Sequence, residues 1–196
     1  MLMEEINQVK NEIVNKFLHP NKMAKIFEKR LGKKYNTIFS TYKTYELHPD
    51  DMTVNAYFDP DTSQKIEIVL VYSSKIKRGL KIQEEGWKHL SFRIYQAYQH
   101  ELIHKKQRKK KKNKRERDRN YFTDPAEIDA HAHDIALEFL FNEFTVEEAI
   151  NKLKNYNSIC LTESITLFSY LVYFQYEDHP ALRKLVKRTV YYLENK

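Results

Sequence analysis

The chain of 196 residues contains a single cysteine, Cys160. No intramolecular disulfide can form, and a cysteine-built zinc site is excluded, so any metal must be held by histidines and carboxylates. Glycine (3) and proline (5) are scarce, which argues against long flexible linkers. No run approaches the roughly 20 apolar residues that span a bilayer. The most apolar window, 165–176, is too short. The N-terminal stretch MLMEEINQVKNEIVNKF is amphipathic and charged, without the apolar core of a secretory leader. These absences predict a cytoplasmic protein with no membrane partner.

What is present is ordinary for a globular chain: 41% apolar and 31% charged residues, with 14 Tyr and 11 Phe to fill a core. The net charge of +7 is not evenly spread. Residues 105–119 hold 11 Lys/Arg against two acids, which leaves the remainder slightly acidic. Such a run is first of all a solvated loop. Lys109, Lys110, Lys111 and Lys112 are its candidate patch for nucleic acid or another acidic partner. The run itself holds no aromatic residue before Tyr121, so base stacking has no local support there.

Periodicity predicts an α+β fold. Ile6, Val9, Ile13, Val14 and Phe17 share one helical face, which Pro20 ends. Asn21 is the expected cap of a second helix that buries Met23, Ile26, Phe27 and Leu31 and stops at Gly32. Three β-rich segments follow, 37–48, 53–58 and 65–73, and predict a small, mostly antiparallel three-stranded sheet. A long helix is expected over 83–106, with Trp87, Leu90, Ile94, Ala97, Tyr98 and Leu102 on one stripe. Asp124-Pro125 starts the next helix, whose buried face is Ile128, Ala132, Ile135 and Phe139. Thr145 and Glu148 form a capping box for a further helix. A central helix over 162–176 and an amphipathic one over 178–193 complete the chain. The expected division is a catalytic domain over 1–144, including the basic loop 105–119, and a helical extension over 145–196 packed on the same core.

The segment HELIH, residues 100–104, carries the chemistry. His100 and His104 stand four apart, so a helix presents both imidazoles to one metal ion. Glu101 then projects beside the metal, where a carboxylate can deprotonate a metal-bound water. Catalytic zinc sites use three protein ligands and keep one position open. Candidates for the third are Glu127, Asp129, His131, His133 and Asp134. Glu127 leads, although the Asp124-x-x-Glu127 spacing also suits a helix cap. His131, one turn on, is the second candidate.

HELIH followed by YFTDPAEIDAHAHDIA resembles the gluzincin branch of zincin metalloproteases, in particular the minimal versions carried by phages and prophages. The resemblance covers roughly residues 53–140. It implies a zincin-like fold: N-terminal helices, a small sheet, the HExxH helix, a Glu-bearing helix and a C-terminal helical lobe. It implies Zn2+ held by His100, His104 and Glu127, with Glu101 as general base of a peptidase that cuts within chains, in a bacterial or phage-infected cytoplasm. A peptide or protein substrate would add as an extra strand to an edge formed by 53–58 or 65–73. Asp129, Asp134, His131 and Tyr121 are the candidates for orienting a ligand or stabilising an oxyanion, with His133 also able to donate. The lysine run departs from the family pattern. The competing reading is a nucleic-acid-associated or inactive zincin-fold protein that binds through 105–119.

Overall fold

Ile6, Val9, Ile13 and Val14 recur at helical spacing, and all four are buried along α1 (Leu2–Gln8) and α2 (Lys10–Ile13). Phe17, expected on the same face, is 63% exposed. The chain leaves the helix at Asn15 (φ 61°), a residue type that tolerates left-handed backbone, and enters the short strand β1 (Phe17–Leu18). The second helix, α3 (Pro20–Phe27), is capped by His19 rather than Asn21: the His19 Nδ1 accepts from the Asn21 backbone N–H at 3.3 Å. It continues through a π-helical turn, Glu28–Gly32, into α4 (Lys33–Tyr35), and Asn36 (φ 52°) ends it instead of Gly32. Gly32 makes room. A Cβ there would stand 2.7 Å from Glu28 Oε1, while Glu28 Oε2 accepts from the Phe39 backbone N–H at 2.7 Å.

The structure is a computed structural model that describes residues 2–59, 64–110 and 120–195, with backbone alone for 109 and 110. The fold is α+β and mostly helical. Two compact units divide it, 1–105 and 106–196. The boundary expected at 144/145 therefore falls inside the second unit. No helix among the described residues is long and apolar enough to cross a membrane.

In the first unit a three-stranded sheet has the order β2 (Thr37–Thr44), β4 (Ile66–Ser73), β3 (Met52–Phe58). β3 pairs antiparallel with β4, but β2 pairs parallel with it. The sheet is thus mixed, not mostly antiparallel. A parallel pair needs a long crossover, and residues 45–65, which include β3 itself, supply it. β4 is central and buried at nearly every position, as the apolar run from Ile68 to Tyr72 requires. The segment 65–73 is therefore no edge, whereas β3 is one. A second pair, β1 with β5 (Leu80–Lys81), was not foreseen because each strand has two residues.

α5 (Glu84–Lys110) is the long helix expected from the stripe. Trp87, Leu90 and Ile94 are buried in one cluster with Ile66, Ile68 and Leu70 of β4, and Tyr98 and Leu102 pack against it. Phe27 stacks on both Phe39 (5.4 Å) and Trp87 (6.1 Å), which ties α3, the sheet and α5 together. The Trp87 indole N–H donates to Asn7 Oδ1 at 3.2 Å.

The second unit is a helical cluster: α6 (Pro125–Phe141), α7 (Val146–Lys154), α8 (Ile165–Tyr173) and α9 (Pro180–Glu194). Its core joins Ile128, Ala132, Ile135 and Phe139 of α6 to Leu167 and Leu171 of α8 and to Leu182, Leu185 and Leu193 of α9. Asp124 caps α6 through the Ala126 backbone N–H at 2.7 Å, and the Thr145–Glu148 capping box is complete in both directions. α8 is not central: Ile165, Val172 and Tyr173 are exposed, and only one side buries Leu167, Tyr170 and Leu171. Its start is held by a buried carboxylate. Glu138 of α6 accepts from Ser164 Oγ (2.6 Å), Thr166 Oγ1 (2.8 Å) and the Thr166 backbone N–H (3.1 Å).

Candidate metal centre

The core stripe of α5 fixes which way its remaining residues face. His100 and His104 fall on the side of the helix away from Trp87, Ile94 and Tyr98, and both are half-buried, as is Glu101. The two rings meet edge to face with centroids 4.8 Å apart. Their Nε2 atoms are 3.0 Å apart. Two neutral imidazoles reach that separation when one donates to the other, or when both lone pairs converge on a shared cation or proton.

Gln107 continues this face of α5, seven residues after His100 and three after His104. Its side-chain amide donates to the Ala126 carbonyl (3.2 Å) and to Asp129 Oδ2 (3.0 Å), at the start of α6. Sequence reasoning placed Gln107 in the solvated basic run and missed it. The i, i+4, i+7 spacing from His100 was the available signal.

On α6 the residues expected near the site fall into two groups. Glu127, His131 and Asp134 come together with Tyr121, which the 3-10 turn Tyr121–Thr123 presents beside them. His131 Nε2 lies 2.7 Å from the Tyr121 hydroxyl and 3.9 Å from Glu127 Oε2, and its Nδ1 lies 3.4 Å from Asp134 Oδ2. The Asp134 carboxylate thus lies within ion-pair range of Nδ1, and the Tyr121 hydroxyl within hydrogen-bond range of Nε2. Asp134 is 8% exposed and His131 15%, so the group is well shielded.

Asp129 and His133 turn elsewhere. The Asp129 carboxylate accepts from Arg188 Nε, from the Tyr192 hydroxyl (3.0 Å) and from Gln107. Burial alone would raise its pKa. The bonds from Arg188, Gln107 and Tyr192 and the guanidinium charge outweigh burial and hold the carboxyl below its usual range. The His133 ring packs edge-on against Tyr192 at 5.0 Å. The Tyr192 hydroxyl is pushed up to about 12, by burial first and then by the Asp129 charge.

Tyr170 was not singled out in the sequence. It is 1% exposed, its ring stands edge-on to His131 at 5.5 Å, and Phe122 packs on it at 4.8 Å. Its hydroxyl has no hydrogen-bond partner among the described residues. Burial, followed by the charges of Tyr121, Glu127, Asp134 and Asp124, raises its pKa far above that of an ordinary phenol, so it stays neutral. The one signal was a hydroxyl-bearing residue on the buried side of an otherwise apolar helix.

The basic patch Lys109–Lys112 and most of the run 105–119 lie outside the described residues, or have backbone alone described. Lys105 is described: its ammonium donates to the Gln64 carbonyl at 2.6 Å and sits 5.2 Å above the Phe58 ring. Comparison of the chain with protein-family models, with curated proteins and with solved structures gave no match.

Proposed function

We propose that this chain is a zinc-dependent peptidase with a zincin-like site of the gluzincin type. The observation that carries the reading is the pair of Nε2 atoms of His100 and His104, 3.0 Å apart on one face of α5. Two imidazole nitrogens each about 2.0–2.1 Å from one tetrahedral zinc ion stand about 3.3 Å apart, so the donor set fits a shared cation. Glu127 is favoured as third ligand on the resemblance, as the acid in the first turn of the capped helix that follows HELIH. His131 is the less favoured ligand, because Tyr121 already engages its Nε2.

Zinc bound there would supply a Lewis acid that polarises a carbonyl and makes water more acidic. Glu101, adjacent to His100, takes the proton of the attacking water and delivers it to the leaving amine. Tyr121, which shares a proton with His131 Nε2, is the candidate donor to the developing oxyanion, with His131 behind it. β3, an edge strand, is where an extended peptide would pair.

The test is metal analysis of the purified chain together with hydrolysis of an unfolded protein. One zinc per chain is expected, retained in Glu101→Gln and lost in His104→Ala. Cleavage is expected to fall at least about 100-fold in Glu101→Gln. A zinc-free wild-type protein, or equal cleavage by Glu101→Gln, refutes the proposal.

A further inference from the structure

A cleft of about 330 Å³ opens in the first unit between the start of β3, β5 and the first half of α5. We propose that it is a specificity pocket that takes a lysine or arginine side chain of the substrate. This inference rests on the peptidase reading and adds a substrate class to it.

The cleft has two kinds of wall. Val54, Leu80, Ile82 and Leu90 make an apolar floor. Asp50 and Asp51 stand at the rim, both exposed, and neither carboxylate has a partner among the described residues. Two basic groups also line it, but each already has an acceptor on its own helix. Arg93 donates to Gln96 Oε1 at 2.7 Å, and His89 Nε2 lies 3.6 Å from Glu85 Oε1. Gln96 is neutral, so the Arg93 charge persists, and two carboxylates against one guanidinium leave the cleft negative by one charge. An apolar floor beneath free carboxylates suits a side chain with a methylene stem and a cationic head.

Gly86 keeps the space open. A Cβ there would meet Ile82 Cγ2 at 3.6 Å, an ordinary contact, so a longer side chain would grow into the cleft without a clash at its base. Position on α5 links the cleft to the histidines. Gly86, Arg93, His100 and His104 recur at intervals of seven, seven and four, which keeps them on one face. Arg93 and His100 are about 10 Å apart along the axis at ~1.5 Å per residue. An extended peptide covers that span in about three residues. The basic side chain would thus lie about three residues from the bond to be cut.

The experiment measures binding without turnover. Two fluorescein-labelled alanine-based octapeptides, one with a central lysine and one with norleucine there, are titrated by anisotropy against the full-length Glu101→Gln protein. The lysine peptide should bind about fivefold tighter or more at low salt. The ratio should fall to about one, on the same scale, when Asp50→Asn and Asp51→Asn are added. Gly86→Leu, by filling the cleft, should bring the lysine peptide down to the norleucine level. Equal binding of the two peptides, a preference that survives the double Asn change, or one that Gly86→Leu leaves intact overturns the proposal. A lysine preference in a protein that holds no zinc and cuts nothing would sink the peptidase reading alone. Zinc-dependent cleavage without a lysine preference would sink only the pocket.

Discussion

Asp129 is the place where removal of one carboxylate should be felt most clearly in the second unit. It joins the last turn of α5, through Gln107, to α6 and to Arg188 and Tyr192 of α9. The ion pair with Arg188 is a charge-assisted bond, but the Arg188 side chain is 40% exposed, so solvent reduces its worth to about 1 kcal/mol. The bonds from Tyr192 and Gln107 add about 1 kcal/mol each. Asp129→Ala should therefore cost about 3 kcal/mol, and Asp129→Asn, which keeps one acceptor, about half of that. Thermal unfolding followed by circular dichroism should register a drop of roughly 2–4 °C per kcal/mol for a chain of this length. The pH dependence has a definite sign. The folded-state pKa of Asp129 is depressed, so its contribution is complete above the unfolded value of about 3.9 and is lost as pH falls through the folded one. The stability difference between wild type and Asp129→Asn should therefore shrink on acidification. A loss below about 0.5 kcal/mol for Asp129→Ala, or a difference independent of pH down to unfolding, would show that these bonds merely replace equivalent bonds to water.

Two further perturbations test local readings. Tyr170→Phe removes a buried hydroxyl with no partner among the described residues, so stability should be unchanged or rise by up to about 1 kcal/mol in urea titration. A loss above 1 kcal/mol would reveal a partner for that hydroxyl. Gly32→Ala gains about 1 kcal/mol of helix propensity, but it drives the Glu28 carboxylate off the Phe39 backbone N–H and should be net destabilising. In a Glu28→Ala background the same change should turn stabilising, and an unchanged sign would refute the steric argument.

Local rules were legible residue by residue. Pro125 after Asp124 and the Thr145–Glu148 box mark helix starts because a cap satisfies backbone donors within four residues of itself. The α5 stripe was readable because a 3.6-residue period needs no knowledge of the partner surface. Pairings between distant segments were not. The parallel register of β2 with β4 depends on a crossover whose path leaves no mark on either strand. The apolar residues of α8 do not reveal that one side is exposed. At the candidate site, His100, Glu101 and His104 announce themselves by spacing. Arg188 and Tyr170 do not, and for Gln107 spacing gives the face but not its partners, because these roles come from helices far apart in sequence.

By itself the sequence determined that the chain is α+β, that one long helix carries HELIH, and that a properly capped second helix carries Glu127. Each of these follows from interactions within a turn or two of chain. Only the tertiary structure decided between residues that the sequence left equivalent. It turned Asp129 to Arg188 and Tyr192, drew His131 to Tyr121 and Asp134, and brought the two Nε2 atoms of α5 to 3.0 Å. Periodicity assigns a side chain to a face of its helix, and only packing assigns that face a neighbour.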